Sequence, residues 1–420
     1  MLILWITSIL FPEVQTTLKV GKEPIAGGWM LGASNALISQ PNIQLYVASV
    51  SEHVNHLTRI KGNRINYYVI PYGKGNLREN AEYEPYWKEI SNEITPDVVH
   101  IHGTEFSHGL SYINACGSKN VVISIQGLTS AIYPYTLYGL NKWLLLRNIT
   151  IRDIIKGNSL SLYNEFKKRG KFEIKMISSV NHIIGRTSWD KARIWAINPN
   201  AEYHFCNETL RSEFYDGQWM FDNCDKHTIF FSSGTDPYKG LHILLRAMPI
   251  ILRHHPDTQI RVAGSDVTRC SYDWKDRLKL TDYGRIIRKI LRKYGIEDKV
   301  SFLGSLNSSQ MKKEFLRANI FVLSSSIENS PNTLGEAQLL GVPCISSYVG
   351  GTMDMIPNDA CGELYRFEEV EMLAYKVCQM FNNSPTFDNS IMRIEAAKRH
   401  DMINNAKNLI HIYKYIAHCN

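Results

Sequence analysis

The chain has 420 residues, more than one hydrophobic core usually serves and enough for two domains. With 44% hydrophobic and 21% charged residues it falls outside disordered, fibrous and repeat classes. A formal charge of +7 without an arginine-rich arm argues against a nucleic-acid partner and leaves anionic small substrates or an anionic membrane surface.

The opening run MLILWITSILF is too short to span a membrane and lacks a basic region and a small-residue cleavage site. It is expected to be a buried first strand, with the cytoplasm as the default location. Short β-branched runs then alternate with helical patterns, the signature of parallel βα units. In the first half, strands are expected near Leu2–Ile6, Ile43–Val50, Asn66–Ile70, Val98–His102, Val121–Gln126 and His182–Gly185. In the second half they fall near Thr228–Ser232, Gln259–Ala263, Val300–Leu303, Ile320–Leu323 and Pro343–Ser346. Two doubly wound α/β sheets follow, divided near residues 210–225: a first domain over 1–215, a second over 216–400, and a terminal helix over 401–420 with a break near His400–Asp401. Eight scattered cysteines without a C-x-x-C pair predict reduced thiols and no zinc site.

Ligands of open α/β sheets bind beyond the carboxyl ends of the strands, so loops after strands are where chemistry belongs. After the first strand, AGGWMLGASNAL places Gly27 and Gly28 just before a helix, where backbone can approach phosphate closely. His100, His102 and Gln126 sit at or near strand ends in DVVHIHGTEFSHGL and VVISIQGLTS. His100 is expected in the core, and His102 and Gln126 as contacts to an acceptor or sugar. Between Asn141 and Lys175, Trp143 to Leu146 stand among many Lys and Arg residues. This stretch reads as a core-facing helix with a solvated basic face, or as a dock for an anionic membrane. RIIRKILRKYG, residues 285–295, reads as an exposed basic helix.

The most informative segment is FVLSSSIENSPNTLGEAQLLGVPCISSYVGG, residues 321–351. A strand, a loop and a helix starting near Pro331 are expected, with Ser330 as N-cap and Gly341 ending the helix. The amides of Asn332, Thr333 and Leu334 at the helix start suit phosphate oxygens. Glu328 precedes the helix and Glu336 lies one turn inside it. Carboxylates repel phosphate but accept well from diols. A ligand with a diol at each end and phosphate between them, a nucleoside diphosphate sugar, fits all three features.

This segment resembles the E-x7-E motif of retaining glycosyltransferases of the GT-B fold, glycosyltransferase family 4. GTDPYKGL, residues 234–241, resembles the family's stretch whose lysine, here Lys239, pairs with the donor diphosphate. The resemblance implies that Glu328 faces the transferred sugar, Glu336 holds the ribose, and the 332–334 amides and Lys239 meet the diphosphate. Family members carry a similar Gly-Gly near Gly28. Two departures stand out: the family's arginine falls on Gly234, with Arg186 a candidate replacement, and Gln126 stands near a common histidine.

The resemblance also implies two Rossmann-like domains facing across a cleft. It implies a hexosyltransferase acting with retention on a glycan or polyprenyl-linked acceptor, in capsule, exopolysaccharide or O-antigen building. The absence of any Asp-x-Asp fits a transferase that needs no metal and no cofactor. Such an enzyme would be cytoplasmic, in part peripheral on the inner face of the cell membrane. A sugar-nucleotide epimerase, a phosphorylase and an inactive sugar-nucleotide-binding protein remain open at this point.

Overall fold

A computed structural model describes residues 1–20, 28–72, 81–268 and 278–418. They form two compact units. Unit 1 comprises Met1–Ala131, Phe166–Leu210 and the stretch from His400, and unit 2 comprises Ile132–Glu165 and Arg211–Arg399.

Unit 1 holds an eight-stranded sheet of β1 (Leu2–Thr7), β2 (Gln44–Ser51), β3 (Thr58–Lys61), β4 (Ile65–Pro71), β5 (Val98–His102), β6 (Val121–Ser124), β7 (His182–Gly185) and β8 (Glu202–Phe205). The spatial order is β3-β4-β2-β1-β5-β6-β7-β8, and only β3 runs antiparallel to its neighbour. β1 is central, pairing Leu2 with Gln44 on one side and Ile3 with Val98 on the other. Helices cover both faces of a parallel sheet, which is why LILWIT is apolar almost throughout rather than alternating, and why Ile3 to Thr7 are all buried. The helix Met402–His418 closes one face: Leu409, Ile412, Tyr413 and Ile416 join the core around Ile3 and Trp5. Trp5 Nε1 donates to the Tyr413 hydroxyl at 2.9 Å. The preceding helix stops at Arg399, so the break falls at His400–Asp401.

Unit 2 holds six parallel strands: β9 (Thr228–Phe231), β10 (Gln259–Val262), β11 (Val300–Phe302), β12 (Ile320–Leu323), β13 (Cys344–Ser347) and β14 (Glu363–Tyr365). Their order, β11-β10-β9-β12-β13-β14, is that of a dinucleotide-binding Rossmann sheet, with the direction of winding reversing between β9 and β12. In unit 1 the reversal falls between β1 and β5.

Residues 132–165, counted from sequence with the first domain, pack in unit 2. The Thr150 hydroxyl donates to the Leu280 carbonyl at 2.7 Å, and Ser159 to Asp282 at 2.8 Å. Leu137 and Leu145 bury against Ile286 of the basic helix Asp282–Tyr294. The 141–175 stretch, read as a core-facing helix or a membrane dock, is divided among helices Lys142–Leu146, Ile151–Lys156 and Ser159–Ser178, and its first part is largely exposed. Leu145 is buried, but Trp143, Ile151, Ile154 and Ile155 are 68–77% exposed.

Candidate active site

Both loops at the reversal point of unit 2 carry the charged residues singled out in the sequence. Beyond β9 the chain makes a single 3-10 turn, Pro237–Lys239, then enters a helix through Gly240. Gly240 has φ +78°, and a Cβ there would lie 1.7 Å from the Ser324 carbonyl oxygen, so glycine is required for this loop to lie against the loop beyond β12. The Ser326 amide donates to the Tyr238 carbonyl at 2.8 Å, and the Ser324 hydroxyl to the Gly240 carbonyl at 2.9 Å. These contacts bring the Lys239 ammonium to 2.7 Å from a Glu328 carboxylate oxygen, which also accepts from the Ser325 hydroxyl at 2.7 Å. Burial disfavours the Lys239 charge, but Glu328 more than restores it, with help from Tyr238 and Asp236, and the lysine pKa ends above its ordinary value.

Glu328 is held from behind as well. Gly350 has φ +54°, and a Cβ on it would sit 1.8 Å from the Glu328 carbonyl, which accepts from the Gly351 amide at 3.1 Å. The Val-Gly-Gly after β13 therefore clamps the backbone of the first glutamate.

The helix after Glu328 spans Asn332–Leu340 with Pro331, not Ser330, at the N-cap and no side-chain cap. Proline sits there without cost because that N–H has no helical partner. The Leu334 and Gly335 amides already donate to the Pro331 carbonyl at 3.0 and 3.3 Å. Leu334, expected among the phosphate donors, is thus committed, and the Asn332 and Thr333 amides begin the helix outside its own ladder.

Glu336 is not solvated: it is 2% exposed, and Arg211 grips it with two parallel hydrogen bonds of 2.7 Å, Nε to Oε1 and Nη2 to Oε2. Burial raises the Glu336 pKa, against the opposing pull of Arg211. Arg211 stacks over the Phe214 ring at 4.7 Å. Sequence inspection missed Arg211 because it stands in a segment of weak periodicity, with no motif around it.

Gly234 leaves no room for a side chain, since a Cβ would come within 2.6 Å of Val262 Cγ1 and 3.2 Å of Leu241 Cδ2. Arg186, suggested as the replacement cation, belongs to unit 1 and is engaged there. It forms an ion pair with Glu208 and donates to the Ile125 carbonyl at 3.1 Å.

Unit 1 gathers its own polar cluster at the reversal point. A cavity is lined by Trp29, His102, Arg186, Glu208, Thr209 and Asn405, among others. His102 ends β5, its ring 4.3 Å from Trp5 and 3.8 Å from His100 between centroids. Its Nε2 is buried without a hydrogen-bond partner among the described residues. Burial, with His100 beside it, holds the His102 pKa well below the ordinary value, and burial pushes His100 down to about 3, so both rings are neutral near pH 7. His100 is a core residue bonded to the Tyr413 hydroxyl. The Gln126 amide donates to Glu208 at 2.5 Å, and Glu208 is the unit 1 residue that sequence inspection overlooked. Gly28 is the first residue of the helix Gly28–Ile38; Gly27 lies outside the described residues.

Residues 221–409 match the family model of glycosyl transferases group 1. An uncharacterized glycosyltransferase of Methanocaldococcus jannaschii is 27% identical over 192 residues, 45% of each chain, so the match spans less than half of that relative. Sucrose-phosphate synthase from Thermosynechococcus elongatus superposes over 100% of both chains with a TM-score of 0.71 at 15% identity. The chain has the GT-B fold. Anabaena HepE in complex with UDP and glucose superposes on this GT-B chain with a TM-score of 0.66 at 12% identity, over 99% of this chain and 100% of that one. Among the described residues, no helix is long and apolar enough to cross a membrane.

Proposed function

We propose that this protein is a glycosyltransferase that moves a hexose from a nucleoside diphosphate sugar to a glycan or polyprenyl-linked acceptor, with retention at the anomeric carbon. The observation that carries this is the joining of Lys239, Glu328 and the Asn332 helix start at the winding reversal of the unit 2 sheet. The match to glycosyl transferases group 1 and the likeness to a UDP-bound GT-B structure support it.

Lys239 and the amides of Asn332 and Thr333 meet the diphosphate. Glu328 accepts from sugar hydroxyls. Glu336 accepts from the ribose diol through the lone pairs that Arg211 leaves open. Arg211 is a positioning residue here: its two-pronged grip fixes the carboxylate plane before the ribose arrives. In the transfer step the acceptor oxygen bonds to the anomeric carbon from the face that the diphosphate leaves. The bond from that carbon to the phosphate oxygen breaks, and the acceptor's proton passes to the departing phosphate. Lys239 and the helix amides supply the positive potential this departure needs, without a metal ion or cofactor. On the acceptor side we place His102 and Gln126, beside the unit 1 cavity.

The acceptor is lipid-linked in this proposal, and the surface of unit 2 supports it. Ile151, Ile154 and Ile155 form one exposed face of the helix Ile151–Lys156, and Trp143 is exposed in the helix before it, with Lys142, Arg147, Arg152 and Lys156 in the same stretch of chain. Exposed apolar side chains in a cation-rich stretch suit the interface of an anionic bilayer. Polysaccharide building on the inner face of the cell membrane is the setting we favour.

Two measurements test this. Thermal-shift screening against UDP, GDP, ADP and their sugars should single out one donor by a raised midpoint, and that donor should turn over with retained configuration by NMR. Epimerised or phosphorolysed donor without transfer would overturn the reading. Sedimentation with vesicles should show binding that grows with anionic lipid content and is lost in Ile154→Glu; binding indifferent to lipid charge would remove the membrane.

A further inference from the structure

Away from the groups assigned above, unit 1 carries a cluster with a different chemistry. β7 and β8 are the last two strands of the sheet and run parallel, pairing His182 with Glu202 and Ile184 with His204. Glu202 and His204 are two residues apart on β8, so both side chains leave the same face, the one His182 occupies on β7. His182 Nδ1 lies 3.1 Å from His204 Nε2 and 3.7 Å from Glu202 Oε2, and the three donor atoms all fall within 4.8 Å of one another.

A tetrahedral zinc with bonds of about 2.0–2.1 Å separates its ligand atoms by about 3.3 Å, between the two spacings found here. We propose that His182, Glu202 and His204 bind one divalent transition-metal ion, zinc before others, as a structural site on the edge of the unit 1 sheet. Two imidazoles and a carboxylate are a donor set of borderline softness that suits zinc and excludes calcium and magnesium.

A metal takes the neutral form of each imidazole, so binding should weaken as the medium is acidified. The Tyr415 ring from the terminal helix meets both imidazoles edge-on at 6.0 and 5.9 Å and walls the site. The three donors leave the fourth tetrahedral position to a solvent molecule. The consequence would be a pin fastening β8 to β7 beneath the terminal helix. The site is independent of the donor site in unit 2 and stands whether or not sugar transfer is demonstrated.

The experiment uses the full chain stripped with EDTA and titrated with zinc chloride by calorimetry. The expected result is one equivalent bound, a rise in melting temperature that EDTA reverses, and an intense visible band on cobalt substitution. Glu202→Gln, at an exposed position, and His204→Ala should each weaken zinc binding at least tenfold. Circular dichroism in EDTA should match the unaltered protein, showing that the fold survives the change. A simple hydrogen bond between the imidazoles would give no stoichiometric zinc binding. That result, or full zinc affinity in both variants, would overturn the proposal.

Discussion

In unit 2 the charges at the winding reversal come from one contiguous segment, 324–336, joined by Lys239 and Arg211. In unit 1 the polar groups are collected from the ends of several strands: His102 at the end of β5, Gln126 after β6, Arg186 after β7 and Glu208 after β8. The unit 2 groups are paired yet face a helix start with amides to offer, which suits an anionic ligand. In unit 1 Arg186 neutralises Glu208, and the Gln126 amide donates to the same carboxylate, beside neutral histidines. Related sheet topologies thus hold ion pairs beside an open helix start in one unit and an ion pair beside neutral histidines in the other. A motif marks the first and not the second, because only the first packs its chemistry into a short stretch of chain.

Glu208→Ala gives the largest expected effect and bears on stability. It strands a buried Arg186, which typically costs about 3–5 kcal/mol. A thermal melt should lose several degrees or more while nucleotide affinity in unit 2 is unchanged; a loss of nucleotide binding instead would break the separation between the two networks. Lys239→Ala comes next. Removing a preorganised donor at a departing group costs about 3 kcal/mol of barrier, so kcat should fall about a hundredfold with the donor identified by screening. Steady-state kinetics decide this, and an unchanged kcat would take Lys239 out of the chemistry.

Glu336→Ala should act on binding more than on rate, weakening the nucleotide by about 1–3 kcal/mol in calorimetry as the ribose hydroxyls lose their carboxylate acceptor. The smallest effect is on pH. Because the folded Glu336 pKa lies above 4.5, the carboxylate is lost on acidification sooner than an ordinary glutamate, and nucleotide affinity should fall as pH drops through that raised value. Glu336→Gln should flatten the profile. Stability runs the other way: a carboxyl with a raised folded pKa contributes most below its unfolded value, and that contribution declines as pH rises through the folded one.

Much of this was legible before the structure. All eleven expected strands are present, most within a residue of their expected limits, because two-sided burial makes parallel strands nearly continuous apolar runs. The three strands not foreseen are short edge strands: TRIK (β3), EYHF (β8) and ELY (β14), whose polarity or brevity gives no period to detect. The resemblance assigned Glu328 to the sugar and Lys239 to the diphosphate; that the two side chains form an ion pair came from the structure. Arg211 and Glu208 escaped because each works through a partner more than eighty residues away in sequence, a relation that no local pattern records. The exposure of Ile151, Ile154 and Ile155 is a tertiary fact, since their helix docks by Thr150 and Ser159 rather than by its apolar face.

The most direct test is a crystal structure of the protein with its nucleotide sugar bound. The account predicts the ribose diol on the Glu336 carboxylate, the diphosphate against Lys239 and the Asn332–Thr333 amides, and sugar hydroxyls on Glu328. Ligand density seated elsewhere, with Arg211–Glu336 and Lys239–Glu328 still paired and untouched, would contradict it.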